Sequence, residues 1–316
     1  MEEKRFKTYD EMLTILARKG VELATPQQKS EAKRRLQHEG YYNLINGYKD
    51  LFLLPKANPS DEDRFKPGTT VSEIYSLYTF DKKLREIFFR NILIIETNMK
   101  SLISYAFAEQ YGHKNYLIYS NFDMSKKDAP QQIAELISTM QRQISGHSKD
   151  PNISHYLNHH GYVPLWVLNN IITFGTLSKF YSLMKQHDRQ AVSRVFHISD
   201  QQLESYLFLI SILRNFCAHS NRIYCFKSKS SIDDNGFHAA MSIPVDTSGR
   251  YIYGKNDLFA AAIVLKTLLP KHVFKIFIKQ ISHAISSLGP QRRVLTEDEV
   301  LSQMGFPSDW RTKLLI

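Results

Sequence analysis

Cysteine is nearly absent from this sequence: its 316 residues include only Cys217 and Cys225. They stand eight positions apart, and no Cys-x-x-Cys pair is present, which argues against a disulfide framework or a structural zinc site. Unpaired thiols fit a reducing compartment, so we expect a cytoplasmic protein. Histidines offer no better metal site, because no carboxylate or cysteine stands at helical ligand spacing from His159 or His160, and Gly112 interrupts the helix between Glu109 and His113.

Long apolar runs are also missing. The longest candidates, residues 91–95 and Leu258 to Leu269, are short or interrupted by Lys266, whereas a membrane helix needs about 20 apolar residues. The first five residues are acidic and then basic, without the apolar core of a signal peptide. Glycine-rich phosphate loops, serine-nucleophile elbows and paired-carboxylate motifs are absent too. We therefore expect no membrane association, no metal and no other cofactor.

Basic residues are in excess: 41 Lys and Arg stand against 31 Asp and Glu, giving a formal net charge of +10. An excess of this size favours a polyanionic partner such as RNA, DNA or an anionic membrane, because each phosphate contact releases counterions. The alternative is that the charge only keeps the protein soluble. With 43% apolar residues, the chain is expected to form one large or two modest globular domains.

Apolar residues recur mostly at helical spacing, which predicts an all-α fold. The expected helices are Tyr9 to Lys19, Pro26 to His38, Thr70 to Tyr111 as one long or two collinear helices, about Ala129 to Ser145, Leu165 to Asn170, Leu177 to Lys185, one opened by Ser199, Asp257 to Leu269, Lys271 to Leu288, and a short last helix capped by Thr296. Glycine, proline and N-cap residues set most of these limits.

Composition divides the chain into three parts. Residues 1–68 are expected to form an N-terminal subdomain with a helical hairpin, because prolines and acidic residues mark a loop before position 69. Residues 69–290 would form the main helical domain, and residues 291–316 a C-terminal tail helix. Residues 225–255 are rich in Ser, Asp, Gly and Lys, and we expect an exposed insertion there with β-hairpin character.

One apolar helix is predicted to end in a cluster of polar residues, Leu213-Arg214-Asn215-Phe216-Cys217-Ala218-His219-Ser220-Asn221-Arg222. With Phe208 and Ile212, the side chains of Asn215, His219 and Arg222 follow 4-3-4-3 spacing, so a continuous helix would align them on one face. Burying such polar groups without partners costs roughly 1–3 kcal/mol each. We therefore expect something to lie opposite them.

These side chains suit cleavage of RNA. An imidazole at His219 could deprotonate the ribose 2′-OH or protonate the leaving 5′-oxygen. Arg214 could hold the phosphoryl oxygens as charge builds, and Asn215 could orient the imidazole or the phosphate. Spacing alone is not specific, because Arg142 and His147 have the same offset without an adjacent Asn.

Other candidates surround this motif. Glu96 interrupts an apolar helix face, and it is either a buried carboxylate that holds Arg214 or a residue that reaches solvent. Candidate RNA contacts are Lys29, Lys33, Arg34 and Arg35 on one helix, Lys271, Lys275 and Lys279 on another, and Tyr41, Tyr42 and Tyr48 as stacking platforms. The alternative is that the charges are solvated helix faces and the tyrosines belong to the core.

The Arg-Asn-x-x-x-His arrangement at a helix end resembles the signature of the HEPN superfamily, and the segment extended to Arg222 resembles its Abi-like (AbiD/AbiF) branch of abortive-infection proteins. Four further blocks resemble that branch in order: Gly40 to Tyr48, Leu77 to Arg85, Pro164-Leu165-Trp166 with Phe174 to Ser178, and Met304 to Trp310. The resemblance covers most of the chain.

This resemblance implies a HEPN-type helical bundle and a metal-independent endoribonuclease of bacterial anti-phage defence that leaves a 2′,3′-cyclic phosphate. Arg214, Asn215 and His219 would take the catalytic positions, with Glu96 and Arg222 supporting them. Members of the AbiF type are thought to act with a small noncoding RNA. Since HEPN nucleases usually build their site from two motifs and this chain has one, a homodimer with a composite site is implied.

Two alternatives remain. The protein could be a non-catalytic RNA-binding scaffold of a ribonucleoprotein, in which the Arg-Asn-His cluster grips phosphate. It could also be a helical interaction module whose polar cluster only stabilises a dimer.

Overall fold

The computed structural model describes residues 5–288 and 293–315. Their α-helices are α1 Tyr9–Arg18, α2 Pro26–Glu39, α3 Val71–Tyr111, α4 Ala129–Gly146, α5 Pro151–His160, α6 Leu165–Leu168, α7 Phe174–Leu183, α8 Gln186–Ser193, α9 Asp200–Ala218, α10 Gly236–Ala240, α11 Leu258–Leu268, α12 Lys271–Ser286, α13 Glu297–Met304 and α14 Trp310–Leu315. In this part of the chain β-pairing is limited to isolated bridges. The predicted all-α fold is therefore confirmed.

Helices α1 and α2 form the N-terminal hairpin. Thr8 and Thr25 each cap a helix through a reciprocal capping box, and Pro26 occupies the first turn of α2. Apolar side chains of the two helices, including Leu16 and Leu36, are fully buried. The hairpin leads through Gly40 into a single turn of π-helix, Tyr42–Asn46. We refer to residues 41–48 as the aromatic turn.

Helix α3 is the central element of the fold. It has 41 residues and no glycine or proline, so it extends for about 62 Å at 1.5 Å per residue. Thr70 caps its start and Gly112, at φ 83°, ends it. Its apolar face packs along its length against α12, α9, α8, α6 and the aromatic turn. Of the two expectations for this region, the single helix is the one observed.

Helix α9 packs against α7, α3, α11 and α8. Ser199 and Gln202 form the predicted capping box at its start. Leu203, Leu207, Ile210 and Leu213 are completely buried. Helix α9 packs against α3 and ends at Ala218, and the polar segment that follows lies on the side of α3 where the aromatic turn also packs.

The segment 225–255 matches its prediction in part. Within the described residues it contains the short helix α10 and one hairpin-like turn, in which Val245 forms an antiparallel bridge with Tyr251 and the Asp246 N–H donates to the Arg250 carbonyl at 2.8 Å. The segment is not simply exposed, since Ile232, His238 and Met241 are buried. These buried side chains fasten it to the helical core.

Several observed helices differ from the predicted ones in their existence or their bounds. Helices α5 and α8 were not predicted, and α14 follows the helix that was expected to be last. Helix α7 begins at Phe174, three residues early, because Thr173 caps it. The predicted boundary between residues 290 and 291 lies outside the described residues, as do residues 1–4, where no signal peptide is expected. Among residues 5–288 and 293–315, none of the helices has an apolar stretch that could span a bilayer.

Candidate functional site

The polar segment lies at a sharp turn after α9. His219 is the last, capping residue of the helix, and Ser220 adopts a left-handed φ of 57°. The Asn221 N–H donates to the Phe216 carbonyl at 2.9 Å and the Ser220 N–H to the Cys217 carbonyl at 3.3 Å, which is the Schellman pattern. The prediction of one helical face through Arg222 is therefore wrong beyond position 219.

The expected polar face is open to solvent in this chain. Asn215, His219 and Arg222 are exposed, and Phe208 at the start of the stripe is 45% exposed. The described residues of one protomer therefore leave Asn215 and His219 open, whereas Arg222 contacts the aromatic turn through the Gly47 carbonyl.

Arg214 lies apart from this open segment and contacts α3. Its Nε is 3.4 Å from Oε2 of Glu96, and its guanidinium carbon lies 5.6 Å from the centre of the Phe89 ring. Glu96 is 6% exposed and also pairs with Lys100 at 3.0 Å. Of the two interpretations of Glu96, this geometry matches the carboxylate that holds Arg214.

A cleft of about 720 Å³ opens beside His219, within the usual size of a ligand site. Its walls are the aromatic turn, one face of α3 between Tyr78 and Phe89, and residues 217–222. We call it the His219 cleft. Its lining includes His219 and Arg222 but neither Arg214 nor Asn215, so the structure brings only part of the predicted site together.

Cations and amides line the cleft beside His219. Lys82 and Arg85 come from α3, and Asn43 and Asn46 from the aromatic turn. Lys82 and both amides are exposed. Positive charge and amide groups beside an imidazole fit an anionic ligand with polar edges, such as a nucleotide.

Arg222 connects the turn after α9 to the aromatic turn. Its guanidinium donates to the Gly47 carbonyl and lies 3.8 Å from the Asp50 carboxylate. The side chain keeps 40% of its surface exposed. Arg222 therefore both closes one wall of the cleft and leaves hydrogen-bond donors available to a ligand.

Asp81 fixes the walls of the cleft to one another. Its Oδ1 accepts the backbone N–H groups of Ile223 at 3.0 Å and Tyr224 at 2.7 Å. Its Oδ2 accepts the Tyr48 hydroxyl at 2.7 Å and pairs with Arg85. Asp81 is fully buried, so this one carboxylate joins α3, the aromatic turn and the segment after His219.

Sequence reasoning missed Asp81 and Arg85. A signal was present, because Asp81 interrupts the buried apolar series of α3 that includes Leu77, Leu84 and Phe88. A charged residue at such a position normally has a specific partner. The partners themselves were not predictable, since the two N–H donors are 142 and 143 positions away.

Burial keeps two groups near the cleft protonated, the Cys217 thiol and the Tyr48 hydroxyl. It raises the pKa of the Cys217 thiol to about 12, so this sulfur stays protonated and is unsuited to act as a nucleophile. Burial, followed by the charge of Asp81, also raises the pKa of the Tyr48 hydroxyl. Neither group is placed to exchange protons near neutral pH.

The predicted basic residues of α2 separate into two groups. Lys29 and Arg34 are exposed, whereas Lys33 is bonded to Asp10 at 2.8 Å. Arg35 is a correction: its guanidinium pairs with Glu31, donates to Ser72 and lies 4.4 Å from the Tyr75 ring centre. Only 14% of its side chain is exposed, because its charge serves to fasten α2 to α3.

The three predicted stacking tyrosines also differ. Tyr48 is 2% exposed and packs between Tyr78 and Tyr224, so it cannot stack on a base and that prediction is wrong. Tyr41 is half-buried. Tyr42 is 78% exposed and lines the His219 cleft, which leaves it as the best placed of the three.

The predicted lysine face of α12 is open. Lys271, Lys275 and Lys279 are all exposed, and Lys279 borders a groove between α12 and α3.

His113 bonds to the Tyr162 hydroxyl at 2.9 Å, and no three His, Cys, Asp or Glu residues of the described chain form a group that could hold a metal ion.

The sequence was compared with known families, curated proteins and solved structures. Residues 34–225 match the family described as Abi-like protein, a stretch that begins in α2 and includes Asp81, α9 and the walls of the His219 cleft. The searches of curated proteins and of solved structures gave no match. Because the match covers more than half of the chain, this protein belongs to the Abi-like protein family.

Proposed function

We propose that this protein acts in abortive infection, the defence that its family suggests, as an RNA-binding endoribonuclease of the HEPN type that needs no metal ion. The observation that carries the proposal is the position of His219. Its imidazole is exposed at the end of α9, on the wall of a cleft that also presents Arg222 and Lys82.

In the proposed reaction, the ribose 2′-oxygen attacks the adjacent phosphorus and the bond to the 5′-oxygen breaks. The products are a 2′,3′-cyclic phosphate and a free 5′-hydroxyl. One proton leaves the 2′-hydroxyl and another must reach the 5′-oxygen, and an imidazole such as His219 can perform either transfer. Arg222 and Lys82 are placed to stabilise negative charge on the phosphoryl oxygens.

Arg214 and Asn215 are assigned to a composite site formed by two copies of the chain. Both lie outside the lining of the His219 cleft. On α3, Phe89, Leu93 and Glu96 follow helical spacing, and Leu93 is 38% exposed beside the Arg214 contact. Phe208, seven residues before Asn215 on α9, is a second exposed apolar side chain. A homodimer that buries Leu93 and Phe208 would bring two motifs together and supply the second proton-transfer group.

The RNA partner in this proposal includes a small noncoding RNA that binds the protein and restrains cleavage until infection. The net charge of +10 and the exposed lysine face of α12 support binding of RNA.

A second candidate is a non-catalytic RNA-binding scaffold. The observation that favours it is the Arg214–Glu96 pair, which turns the arginine away from the His219 cleft. In this case His219 and Arg222 would grip a phosphate of a partner RNA without cleaving it.

The test is to purify the protein from cells that carry its native locus and to sequence the bound RNA with its ends. His219→Ala is compared with the unmutated protein, and His147→Ala is the matched control, because it removes an exposed histidine with the same offset from an arginine. Cyclic-phosphate ends with the unmutated and His147→Ala proteins, but not with His219→Ala, would support the enzyme.

Two other outcomes of the same comparison would favour the scaffold or exclude both functions. One RNA bound without cleavage by the unmutated and His147→Ala proteins, and more weakly by His219→Ala, favours the scaffold. If none of the three proteins binds or cleaves RNA, both functions are wrong.

A further inference from the structure

We propose that a single RNA strand leaves the His219 cleft across Glu86 and continues into a second groove, between α3 and α12, where Lys83, Arg90 and Lys279 hold its phosphates. This inference rests on the proposed function, since it describes the route of the same RNA. It adds a binding site away from the Arg-Asn-His motif and specifies single-stranded RNA as the ligand class.

The second groove lies directly beside the cleft. It has a volume of about 520 Å³ and is formed by α3 from Lys83 to Arg90 and by α12 from Ile276 to Ala284. Glu86 belongs to the lining of both the groove and the His219 cleft. Along α3, Lys82 to Arg90 spans about 12 Å, so a strand of a few nucleotides reaches from one site to the other.

The charges of the groove are free to bind an anion. Lys83, Arg90 and Lys279 are exposed. Arg90 donates to Gln280 at 2.6 Å and Lys83 lies 3.4 Å from Ser287, and these partners are neutral. Among residues 5–288 and 293–315, no carboxylate forms an ion pair with any of the three cations. Phosphate groups would therefore meet charge that the protein itself has not neutralised.

The positive surface continues beyond the groove along α12. Lys279, Lys275 and Lys271 are four residues apart, so they occupy one face of the helix over about 12 Å. All three are exposed. A strand that leaves the groove in this direction remains in contact with positive charge, which is the pattern of a protein that follows a nucleic-acid backbone.

Exposed apolar side chains indicate that the strand is single. Ile276 is 50% exposed in the groove, and Tyr42 is 78% exposed at the cleft. Unpaired bases can place their faces on such side chains, whereas the bases of a duplex are already stacked and covered. The route therefore combines phosphate contacts with surfaces for unstacked bases.

Glu86 is the one carboxylate among the residues that line the groove. It is exposed and lies one turn from Lys82 on one side and from Arg90 on the other. Its negative charge should oppose the passing backbone. Glu86→Gln removes that charge and keeps the shape of the side chain, so it should increase the affinity for RNA. Loss of the cations should decrease the same affinity.

The test measures binding of a fluorescent single-stranded RNA of about 12 nucleotides to the His219→Ala protein, so that cleavage cannot interfere. The groove variant adds Lys83→Ala, Arg90→Ala and Lys279→Ala. The control adds Lys127→Ala, Arg142→Ala and Lys149→Ala, which remove the same charge from exposed positions on or near α4. Thermal unfolding verifies that both variants remain folded.

The groove variant should bind at least about tenfold more weakly than the control. The slope of log affinity against log salt should fall by about 2, because each single-strand phosphate contact contributes about 0.7. Glu86→Gln should tighten binding. If groove and control variants bind alike, the route is wrong while the proposed function stands. If the His219→Ala parent and the unmutated protein both fail to bind RNA, the proposed function fails as well.

Discussion

Arg214 and Glu96 face each other between α9 and α3, with Nε of the arginine 3.4 Å from Oε2 of the glutamate. His219, five residues later, instead lines the cleft on which Arg222 also lies. Arg214 and His219, the two ends of the motif, therefore have different surroundings in one protomer. In the proposed composite site, Glu96 acts as a positioning residue that holds Arg214 ready for an RNA phosphate.

The first prediction concerns Glu96→Gln. The amide keeps the shape of the side chain but loses the charge that attracts Arg214 and Lys100. We expect kcat for RNA cleavage to fall about 10- to 100-fold through misplacement of Arg214, with little change in RNA affinity. The free energy of unfolding should fall by about 1–2 kcal/mol.

Glu109→Gln is the matched control on the same helix, because Glu109 is exposed and bonds only to Tyr105 within the described residues. Glu109→Gln should change neither kcat for RNA cleavage nor the free energy of unfolding. Unchanged kcat in Glu96→Gln would show that Glu96 is structural only. An equal loss of kcat in both variants would show that Glu96 has no specific role in positioning Arg214.

The second prediction concerns Asp81→Asn. This change leaves Arg85, which is 8% exposed, without its charged partner and weakens the bonds from Tyr48 and from the chain after His219. Breaking a buried pair on one side costs about 3–5 kcal/mol. Urea unfolding should show a loss of that size.

Asp10→Asn provides the comparison. Asp10 pairs with Lys33, but its side chain is 73% exposed, so solvent screens the pair and the loss should stay below about 0.5 kcal/mol. Similar losses in the two variants would mean that Asp81 does not fasten the walls of the cleft.

Local signals in the sequence were enough for most of the fold. Thr25, Ser199 and Thr296 each cap the helix that they were expected to cap. The long stretch without glycine or proline correctly predicted α3. Such features depend on neighbours within four residues, which periodicity and capping preferences describe well.

The site was less predictable because its contacts join distant residues. Arg222 reaches Gly47 across 175 positions, and Arg35, which pairs with Glu31 on its own helix, is also bonded to Ser72 on another helix. The end of α9 was missed for a local reason: Ser220 takes the left-handed position that glycine usually fills. A serine gives no clear stop signal, so the helix face was extended too far.

The third prediction concerns Gly305→Ala. Gly305 has φ 73°, and an added Cβ would overlap the buried carboxylate of Asp257. That carboxylate accepts the N–H of Ala260 at 2.9 Å and so caps α11. Left-handed strain and overpacking each cost about 1–2 kcal/mol or more. The free energy of unfolding should therefore fall by more than about 2 kcal/mol.

Gly146→Ala is the control for this change. Gly146 is the last residue of α4, and an added Cβ there meets nothing within 4 Å. Alanine at such a helical position should stabilise the protein by about 0.5–1 kcal/mol. Thermal unfolding of both variants gives the comparison, and a stable Gly305→Ala protein would show that the segment after α13 can move away from Asp257.

The last prediction is a pH dependence that arises from His238. Its ring is fully buried, with Nδ1 accepting the Asn235 N–H at 3.1 Å and Nε2 lying 2.8 Å from the Gly254 carbonyl. Burial lowers the pKa of His238 below its ordinary value of 6.5. As pH falls below 6.5, the imidazole of residue 238 is therefore protonated in the unfolded chain while it remains neutral in the folded protein.

Stability from His238 is consequently complete above pH 6.5 and is lost as pH falls from there toward the lowered pKa, by up to about 1.4 kcal/mol per pH unit. Urea unfolding between pH 8 and pH 5 should show this slope for the unmutated protein and for His272→Gln, which removes an exposed histidine. His238→Gln should be less stable at pH 8 but lose less stability on acidification, since it has no proton to bind at that position. Parallel pH curves for all three proteins would contradict a neutral, buried His238.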